Sequence, residues 1–593
     1  MKAKKILSAI SAVVLGCSSA FMSAACGGGG EKPDNSNVVG DMTSAYNVPQ
    51  DYCRTYYEVF VRSFADGDDD GIGDFRGLID NLDYLNDGDE ETDTDLGING
   101  IWMMPINQSP SYHKYDVEDY YDVDDEYGTL DDFKELVEEC EKRDIWLQMD
   151  LVLNHTSNRH EWFEAALEAA RRGNDVNTDP DLSKYCFVRA AEKPVGPGEA
   201  KWQKVSDTAD YYYLCNFSTD MPDLNLKNQE VRDEIKNIVD YWLDLGIKSF
   251  RLDAVPWACA YTTSYNEDNR EFWTWFNNYC HAKGAEVAAA NGWADDNIKR
   301  YCYNVGEVWS GTSTVINYYN TGMSNFNYGL GASATDGFMG AARGVMSTEA
   351  LMCSLQSIQS QVLEKNDYAL LSNFLSNHDN NRSGGTLAND VNIKKAAGLY
   401  LLAPGNPYIY YGEEIGAFGS GKDENKRLAF NWGDWSKQTT DPDDANYSQA
   451  QRYGTVKRQT KDENSILSYY RQAIKLRNRF PEIGRGVITP YALDKKGKLT
   501  VSSELRAAND LKATDSVTPI NELNKNIAAY KLTYGDSDVV IVQNLWDKSV
   551  TIKADVLKGY KIVGELKANG GSTRFSKSNS LILDAATVVV LKK

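Results

Sequence analysis

Short apolar segments alternate with amphipathic helical patterns over most of this chain, and this alternation restricts the possible folds more than any other feature. Thr129 can cap a helix, and Val231, Ile235 and Ile238 share one helical face. Strands that alternate with helices form parallel βαβ units, and enough of them for eight predict a (β/α)8 TIM barrel of the α/β class. The strand candidates are residues 56–61, 98–106, 145–153, 247–255, 303–309, 369–375 and 408–411.

Two segments interrupt the alternation and divide the chain into domains. Residues 155–217 follow the third strand candidate and carry Gly, Pro and Tyr clusters. They predict an inserted domain on the side of the barrel where active sites lie. From residue 481 the helical pattern gives way to alternating apolar strands with short turns, which predict an antiparallel β-sandwich domain over 481–593. The barrel is therefore expected in two parts, 49–154 and 218–480.

The balance of charge excludes several classes of partner. The chain has 593 residues and a formal net charge of −24. Such an acidic surface argues against binding to nucleic acid or to an anionic membrane, and it suits a neutral, soluble substrate. The chain also has 36 Tyr and 13 Trp residues. Their rings pack in cores, and they can also serve as flat apolar platforms for sugars.

The first residues indicate a targeting segment rather than part of the fold. A basic start, an apolar stretch over residues 6–21 and small residues before Cys26 indicate a signal peptide at 1–25. A glycine-rich, polar run then predicts a flexible linker at 26–48. This arrangement resembles a bacterial lipoprotein, in which an acylated Cys26 would hold the exported chain at the cell surface; simple secretion is the alternative. No later segment approaches ~20 uninterrupted apolar residues, so membrane attachment is expected only through a lipid anchor.

Four acidic residues lie near the ends of predicted barrel strands, namely Asp150, Asp253, Glu307 and Asp379. The carboxyl ends of barrel strands form the active-site face, so these side chains are expected to converge. Bringing four carboxylates together is electrostatically unfavourable unless function requires it. Glycoside hydrolysis has such a requirement. One carboxylate attacks the anomeric carbon while a second, protonated carboxyl donates to the leaving oxygen.

Five short motifs around these residues resemble the conserved regions of the α-amylase family of retaining glycoside hydrolases. Their order and spacing also match that family, from about Asp51 to the C-terminus. Within the family, the chain resembles bacterial cell-surface α-amylases and neopullulanases that are lipoproteins. The motifs are MDLVLNH at 149–155, MPDLN at 221–225, FRLDA at 250–254, VGEVW at 305–309 and FLSNHD at 374–379.

The resemblance implies a role for each acidic motif residue and for one arginine. Asp253 is expected to be the nucleophile that forms a covalent glycosyl-enzyme, with Arg251 holding it ionised and aligned. Glu307 is expected to be the general acid and base. Asp379 is expected to bind vicinal hydroxyls of the sugar and to favour its distortion. Asp150 is expected to orient Arg251 and the pocket.

Four further residues are expected to contact the substrate. His155 and His378 occupy motif positions whose family counterparts donate hydrogen bonds to the sugar at the cleavage site. Tyr115, in the sequence YHKYD, matches the family tyrosine that stacks under the same sugar ring. Trp257 stands where many amylases have a Lys-His pair after the nucleophile, and it is predicted to stack on the next glucose.

An acidic loop, DGDDDGIGD at residues 66–74, predicts a cation site. Its carboxylates recur at alternate positions around a glycine turn, an arrangement that suits Ca2+. The loop is similar to one in oligosaccharide-cleaving members of the family, so a structural Ca2+ is the expected cofactor. The predicted ligands are the side chains of Asp66, Asp68, Asp70 and Asp74 and the carbonyl of Ile72.

One departure from the family pattern bears on substrate choice. Exo-acting α-glucosidases of the family typically have an Asp three residues before the Tyr115 equivalent, whereas this chain has Tyr112. We therefore expect an open site that cleaves internal α-1,4 bonds of starch-like α-glucans, with retention. The protein as a whole is expected to be an exported, monomeric hydrolase. The alternatives are a neopullulanase or maltodextrinase, an α-glucosidase, a transferase, or a non-catalytic glycan-binding protein. A second calcium site and a disulfide between Cys186 and Cys215 stay open.

Overall fold

The computed structural model describes residues 52–89, 91–193, 201–259, 266–292, 301–447, 452–507 and 521–593. The predicted signal peptide at 1–25, the linker at 26–48 and the acylation site at Cys26 lie outside these residues. Among the helices in this part of the chain, none combines the length and the apolar character that crossing a bilayer requires.

Eight parallel strands form a closed barrel, as the alternation predicts. We number them β1 to β8 in chain order. Each strand pairs with its neighbours in the chain, and β8 pairs with β1 to close the ring. The strands are β1 (Tyr56–Val59), β2 (Gly100–Met103), β3 (Trp146–Leu151), β4 (Ser249–Leu252), β5 (Val305–Gly306), β6 (Ser324–Phe326), β7 (Leu371–Phe374) and β8 (Asn406–Tyr410).

Strand β6 is the barrel strand that the apolar pattern does not predict. It has only one apolar side chain, Phe326, yet all of its residues are buried. Ser324 Oγ donates to the Leu370 carbonyl oxygen at 2.6 Å and lies 2.8 Å from Ser372 Oγ. A hydroxyl that finds partners on the neighbouring strand can be buried, and no apolar pattern in the sequence signals it.

Each barrel strand is followed by at least one helix, and the predicted helix signals are present. Thr129 caps Leu130–Lys142 in a capping box. The stripe that includes Val231 is the buried face of Gln229–Asp244, which ends shortly before Gly246, at φ 110°. The other long barrel helices are Glu267–Ala290, Thr348–Lys365, Asp390–Leu401 and Ile466–Arg479. The short ones are Val61–Phe64, Phe75–Asp80, Leu82–Leu85, Thr312–Tyr318, Gly337–Ala342, Ser383–Leu387, Asp423–Lys426 and Val456–Gln459. Two short helices, Pro481–Arg485 and Ser502–Ala507, belong to the C-terminal domain.

The inserted domain after β3 contains more regular structure than its sequence suggests. Helix Glu161–Arg172 is followed by a three-stranded antiparallel sheet. An isolated bridge between His155 and Asp223 holds the end of the insert against the segment that leaves β3. In spatial order the sheet strands are Phe187–Arg189, Tyr211–Leu214 and Trp202–Lys204. A separate hairpin after β2 pairs Asn107–Gln108 with Asp119–Val123.

The cysteines that the structure describes are free thiols. Cys186 and Cys215 both lie in the inserted domain, and no disulfide joins them. The Cys186 thiol instead donates to the Leu224 carbonyl oxygen at 3.5 Å, and burial raises the pKa of this thiol.

The C-terminal domain is an antiparallel β-sandwich, as the alternating apolar pattern predicts. Its two sheets enclose a core to which Leu493, Val542 and Ile552 contribute. In spatial order the larger sheet consists of Leu499–Val501, Val487–Leu493, Ile527–Tyr534, Ser537–Asn544, Thr587–Lys592 and Lys561–Lys567. The smaller sheet consists of Val550–Lys553, Ser580–Leu583 and Thr573–Phe575.

The barrel interior contains a cluster of buried rings that supports the polar residues at the strand ends. We call this cluster the aromatic floor. Tyr56 stacks on Tyr408 with ring centroids 4.8 Å apart, and Phe326 meets Tyr408 edge-on at 4.8 Å. Glu58, two residues after Tyr56 on β1, belongs to a layer of charged side chains above the aromatic floor, which we call the charged layer. The members of the aromatic floor are Tyr56, Trp102, Val305, Phe326, Phe374 and Tyr408.

Candidate active site

The three predicted catalytic carboxyls lie at the carboxyl ends of the barrel strands. Asp253 directly follows β4, Glu307 directly follows β5, and Asp379 lies in the loop after β7. The Glu307 backbone N–H donates to the Leu252 carbonyl oxygen at 2.9 Å, so the final β4–β5 pairing positions two of the side chains. The side chains of Asp253 and Glu307 are only 11% and 13% exposed. The pocket therefore shields both carboxyls from bulk water.

A single buried guanidinium, that of Arg251, connects these carboxyls. Its Nη1 lies 2.8 Å from Asp253 Oδ1 and 3.0 Å from Asp150 Oδ1. Its Nη2 lies 3.3 Å from Glu307 Oε1. The β3–β4 register places Asp150 directly beside Arg251, and the guanidinium carbon lies 5.2 Å from the Trp102 ring. One enclosed cation thus stabilises carboxylates that would otherwise repel one another.

The surroundings of Glu307 favour its protonated form. Burial is the main influence on this carboxyl, and Arg251 opposes it. Burial prevails with the help of the Asp253 charge and raises the pKa of Glu307 to about 7. Glu307 Oε2 accepts the Ala254 backbone N–H at 3.0 Å, and Ala254 has a left-handed backbone at φ 50°. A carboxyl that titrates near neutrality can both donate and accept a proton.

Asp379 is held as a carboxylate between two cations. Burial opposes its ionisation, but His378 and Arg427 outweigh burial and hold the pKa of Asp379 below its usual range. Asp379 Oδ2 lies 3.0 Å from His378 Nε2, and Oδ1 lies 3.2 Å from Arg427 Nη2. Lys426 Nζ also donates to the Asp379 backbone carbonyl at 2.8 Å. These contacts fix the orientation of the carboxylate, as recognition of two adjacent hydroxyls requires.

Tyr115 and His378, both predicted to bind the sugar, contact each other in the pocket. The Tyr115 hydroxyl donates to Asp150 Oδ2 at 2.9 Å and lies 2.8 Å from His378 Nε2. Their rings are nearly parallel, with 5.6 Å between centroids. His378 Nδ1 lies 2.7 Å from Glu58 Oε1. Glu58 is absent from the sequence-based site, although an acid within the apolar strand β1 is itself an unusual signal.

His155 and Trp257 lie at the edge that faces the inserted domain. His155 is buried, its Nε2 has no hydrogen-bond partner among the described residues, and burial lowers the pKa of its ring. The Phe217 ring lies 5.2 Å from His155 and 5.6 Å from Trp257. Phe217 is 41% exposed. The structure therefore adds Phe217 to this edge, a residue that its position at the end of an irregular insert does not single out.

Trp309 provides an exposed ring two residues after Glu307. It is 57% exposed, and it stacks on Tyr328 with 5.4 Å between centroids and 14° between planes. A tryptophan that a second ring holds flat is suited to contact the apolar face of a sugar. The motif VGEVW contains Trp309, but the sequence does not distinguish it from a core residue.

Tyr112, at the end predicted to be open, is tied to Arg427. Arg427 Nη1 donates to the Tyr112 hydroxyl at 3.1 Å, and the Tyr112 ring meets Phe60 edge-on at 6.2 Å. Tyr112 offers no carboxylate that could bind a terminal glucose. Asp423 lies 4.0 Å from Arg427 and is mostly exposed, so it is at the rim rather than inside the pocket.

The acidic loop brings three of its four predicted acidic ligands together. Single carboxylate oxygens of Asp66, Asp68 and Asp74 all lie within 4.8 Å of one another. Asp70 is outside this group; its side chain is exposed, and its Oδ1 accepts the Ile72 N–H at 2.6 Å. Burial, together with Asp68 and Asp66, raises the pKa of Asp74. Three hard oxygen donors that repel one another are a suitable donor set for Ca2+.

The fold and the site together define a class of protein. A barrel whose strand ends hold one carboxylate against a guanidinium, a second carboxyl that titrates near neutrality and a third fixed carboxylate has the parts of a retaining glycoside hydrolase. A family model described as the catalytic domain of α-amylase matches residues 58–486. The chain belongs to the α-amylase family of glycoside hydrolases.

Known relatives and solved structures agree with this assignment. α-Amylase 3 of Dictyoglomus thermophilum is 32% identical over 513 residues, which cover 84% of this chain and 86% of the relative. A 4-α-glucanotransferase of Thermotoga maritima is 30% identical over 426 residues, which cover 70% of this chain and 84% of the relative. The structure of Eubacterium rectale Amy13B superposes with a TM-score of 0.78 at 34% identity, covering 93% of this chain and 97% of that one.

Proposed function

We propose that this protein hydrolyses internal α-1,4 bonds of starch-like α-glucans with retention of the anomeric configuration. The observation that carries the proposal is the contact of one buried guanidinium, Arg251, with both Asp253 and Glu307. This contact holds two carboxyls with different surroundings close together, where they can flank the bond to be cleaved. Double displacement requires such a pair, because one carboxyl must attack while the other carries a proton.

The reaction proceeds in two balanced steps. An Asp253 carboxylate oxygen attacks the anomeric carbon, the glycosidic carbon–oxygen bond breaks, and Glu307 transfers its proton to the leaving oxygen. In the second step, a water molecule gives a proton to Glu307, and the water oxygen attacks the same carbon. The bond to Asp253 breaks, so the enzyme regains its starting state and the product keeps its configuration.

Other residues stabilise the charge that develops during these steps. Arg251 keeps the Asp253 carboxylate aligned for attack. Asp379, fixed by His378 and Arg427, accepts hydrogen bonds from adjacent sugar hydroxyls as positive charge builds on the ring. Tyr115 stacks under the ring, and His155 can hydrogen-bond to the sugar through its unpaired Nε2.

The rim of the pocket supports action on long chains. Trp309 on one side, and Phe217 with Trp257 on the side of the inserted domain, present rings that can each stack on a glucose unit beyond the cleaved bond. Tyr112 stands where exo-acting members of the family have the acid that binds a chain end. A Trp257→Ala enzyme with unchanged affinity for long chains would show that Trp257 does not stack on the substrate.

A product time course tests the proposal. The purified protein and its Asp253→Asn variant are incubated with soluble starch, pullulan and maltotriose. We expect a rapid loss of starch chain length with mixed maltooligosaccharides, and an inert variant. Glucose released alone from chain ends would favour an α-glucosidase. Faster turnover of pullulan or maltotriose than of starch would favour a neopullulanase or maltodextrinase.

A second candidate reaction is transfer of the glycosyl group to another sugar. The exposed Trp309 ring can bind an acceptor oligosaccharide through a glucose unit beyond the position where the leaving group departs, and the acceptor then competes with water for the glycosyl-enzyme. Maltotriose at high concentration distinguishes the two reactions. Products longer than the substrate in the first turnovers indicate transfer, whereas maltose and glucose alone indicate hydrolysis.

We also propose that the acidic loop binds a structural Ca2+ through Asp66, Asp68 and Asp74. Binding to the folded state alone raises the free energy of unfolding by about 3 kcal/mol at a hundredfold excess over Kd. A chelator should therefore lower the unfolding temperature, and added Ca2+ should restore it. Asp68→Asn should abolish this response, whereas Asp70→Asn, outside the cluster, should retain it. A chelator-insensitive unfolding temperature would contradict the proposal.

We propose that the chain is exported and held at the cell surface through acylated Cys26, as a monomer. The support is the pattern of residues 1–48. The net charge of −24 disfavours direct binding to an anionic membrane, which is consistent with attachment through a lipid. Metabolic labelling with a fatty acid should mark the protein in the membrane fraction, and Cys26→Ala should remove the label. Unlabelled protein free in the medium would favour simple secretion. Sedimentation of the enzyme as a dimer would contradict the monomer.

A further inference from the structure

We propose that Glu58 is a positioning residue of this reaction, which holds His378 as an imidazolium and thereby fixes Asp379 and Tyr115 around the sugar. The inference rests on the proposed two-step hydrolysis, in which Asp379 binds the sugar. Glu58 lies within β1, and its side chain is only 1% exposed. It therefore acts through His378 rather than through the substrate.

Two hydrogen bonds join Glu58 to the loop after β7. Glu58 Oε1 accepts the Nδ1–H of His378 at 2.7 Å and the backbone N–H of the same residue at 3.3 Å. Both contacts join β1 to the motif FLSNHD, which includes the end of β7, the next strand but one in the ring. Because one carboxylate oxygen binds both the ring and the main chain, the ring orientation and the position of the loop are fixed together.

The hydrogen-bond partners determine where the protons of His378 lie. The single hydroxyl proton of Tyr115 goes to Asp150 Oδ2 at 2.9 Å, so the Tyr115 oxygen can only accept from His378 Nε2 at 2.8 Å. Asp379 Oδ2, another acceptor, lies 3.0 Å from the same nitrogen. Nε2 must therefore carry a proton. Nδ1 faces the Glu58 carboxylate and must carry one as well, which makes the ring a cation.

The surrounding charges agree with this assignment. Burial lowers the pKa of His378, but Asp379 and Glu58 more than offset burial and raise it to about 9. Burial raises the pKa of Glu58, and His378 opposes this. The charged or titratable groups that face this pair from the elements packed against it are Asp379, Asp150, Arg251, Arg427, Tyr115 and Tyr410.

Without the negative charge of Glu58, the imidazolium loses one of its two carboxylate partners. His378 then releases its proton at a lower pH. A neutral ring that keeps the proton on Nδ1 presents a lone pair from Nε2 to both Tyr115 and Asp379. Asp379 consequently loses a charged donor, and its orientation toward the sugar hydroxyls is no longer fixed.

The test is the pH dependence of kcat/KM on maltotriose for the full chain and for Glu58→Gln. The amide of Gln still accepts the two N–H groups but carries no charge. In the unaltered enzyme one group, Glu307, must stay protonated, so kcat/KM should fall about tenfold per pH unit above pH 7. In Glu58→Gln both Glu307 and His378 must stay protonated. The fall should approach about a hundredfold per pH unit, and activity at pH 5 should recover to within about threefold.

The matched control is Glu414→Gln. Glu414 is an equally buried carboxyl, but it binds the Tyr57 and Tyr84 hydroxyls at 2.9 and 2.7 Å rather than His378. This variant should keep the one-proton profile. A one-proton profile in Glu58→Gln, or an equal loss of activity at every pH, would overturn the inference, because a merely structural role predicts either result.

A second measurement needs no variant of Glu58. The chain has only five histidines, so 15N labelling of the imidazoles with His378→Asn as the assignment control resolves the His378 signals. We expect both ring nitrogens to be protonated at pH 7.5 in the unaltered enzyme, and a neutral His378 there would overturn the inference. Failure of the proposed hydrolysis looks different, because the unaltered enzyme would then show no activity on any glucan at any pH.

Discussion

The aromatic floor and the charged layer above it are built on the same barrel strands by opposite means. The floor consists of buried rings and Val305, which pack on one another. The charged layer comprises Glu58, Asp150, Arg251, Asp253, Glu307 and His378. Removing a floor ring leaves a cavity, whereas removing a charge changes the electrostatics of the pocket. The difference shows that stability and chemistry are assigned to adjacent layers of one barrel.

Trp102 connects the two layers. Its indole N–H donates to Asp150 Oδ2 at 3.2 Å, and its ring lies 5.2 Å from the guanidinium of Arg251. The same ring packs on Phe326 with 5.3 Å between centroids. The floor therefore keeps water away from the ion pairs and also supplies one of their hydrogen bonds, which strengthens the electrostatic effects above it.

The largest effect should come from removing the attacking charge. Asp253→Asn should lower kcat on maltooligosaccharides roughly 10⁴-fold, because the amide cannot form the glycosyl-enzyme. The unfolding temperature should stay the same or rise, since the variant removes one of several adjacent negative charges. Steady-state kinetics and calorimetry on one preparation check both parts. A large loss of stability would mean that the charged layer supports the fold, and it would contradict the division of stability and chemistry between the two layers.

A cavity in the floor should have the reverse effect. Phe326→Ala should lower the free energy of unfolding by about 3–5 kcal/mol. The protein that stays folded should keep kcat within about tenfold, because Phe326 is not among the residues proposed to contact the sugar. Denaturant unfolding with activity measured in the same samples tests this. Loss of activity without loss of stability would show that the two layers do not act separately.

The pH profile isolates a single member of the charged layer. The pKa of Glu307 is raised, and its protonated form is the acid, so kcat/KM should fall as pH rises through about 7. Glu307→Gln should abolish this limb on an aryl maltoside whose leaving group departs without a proton. An unchanged alkaline limb in that variant would assign the titration to another group.

The smallest effect should come from the rim. Trp309→Ala should raise KM for maltohexaose by about fivefold and should alter maltotriose less, because one stacking contact contributes about 1 kcal/mol. Stability should not change, since the ring is 57% exposed. Equal changes for both substrates would place Trp309 next to the cleaved bond rather than beyond it.

The sequence predicts those parts of the molecule that depend on local pattern. Apolar runs locate all barrel strands except β6, and acids at strand ends locate Asp253 and Glu307. The pattern does not reveal β6, whose Ser324 needs partners on a neighbouring strand, or Phe217, whose neighbours come from distant segments. The sequence pattern also does not reveal Glu58, because its partner His378 lies 320 residues later in the chain. Buried polar residues depend on tertiary contacts that a single sequence does not display.

The direct test of the central claim is to trap the glycosyl-enzyme. A fluorinated α-glucosyl fluoride, which forms the intermediate faster than it hydrolyses, is mixed with the enzyme, and the protein is digested and analysed by mass spectrometry. We predict one sugar adduct per chain, on the peptide that contains Asp253, and no adduct in Asp253→Asn. An active enzyme that forms no adduct, or an adduct on another carboxyl, would contradict the assignment of the charged layer to retaining hydrolysis.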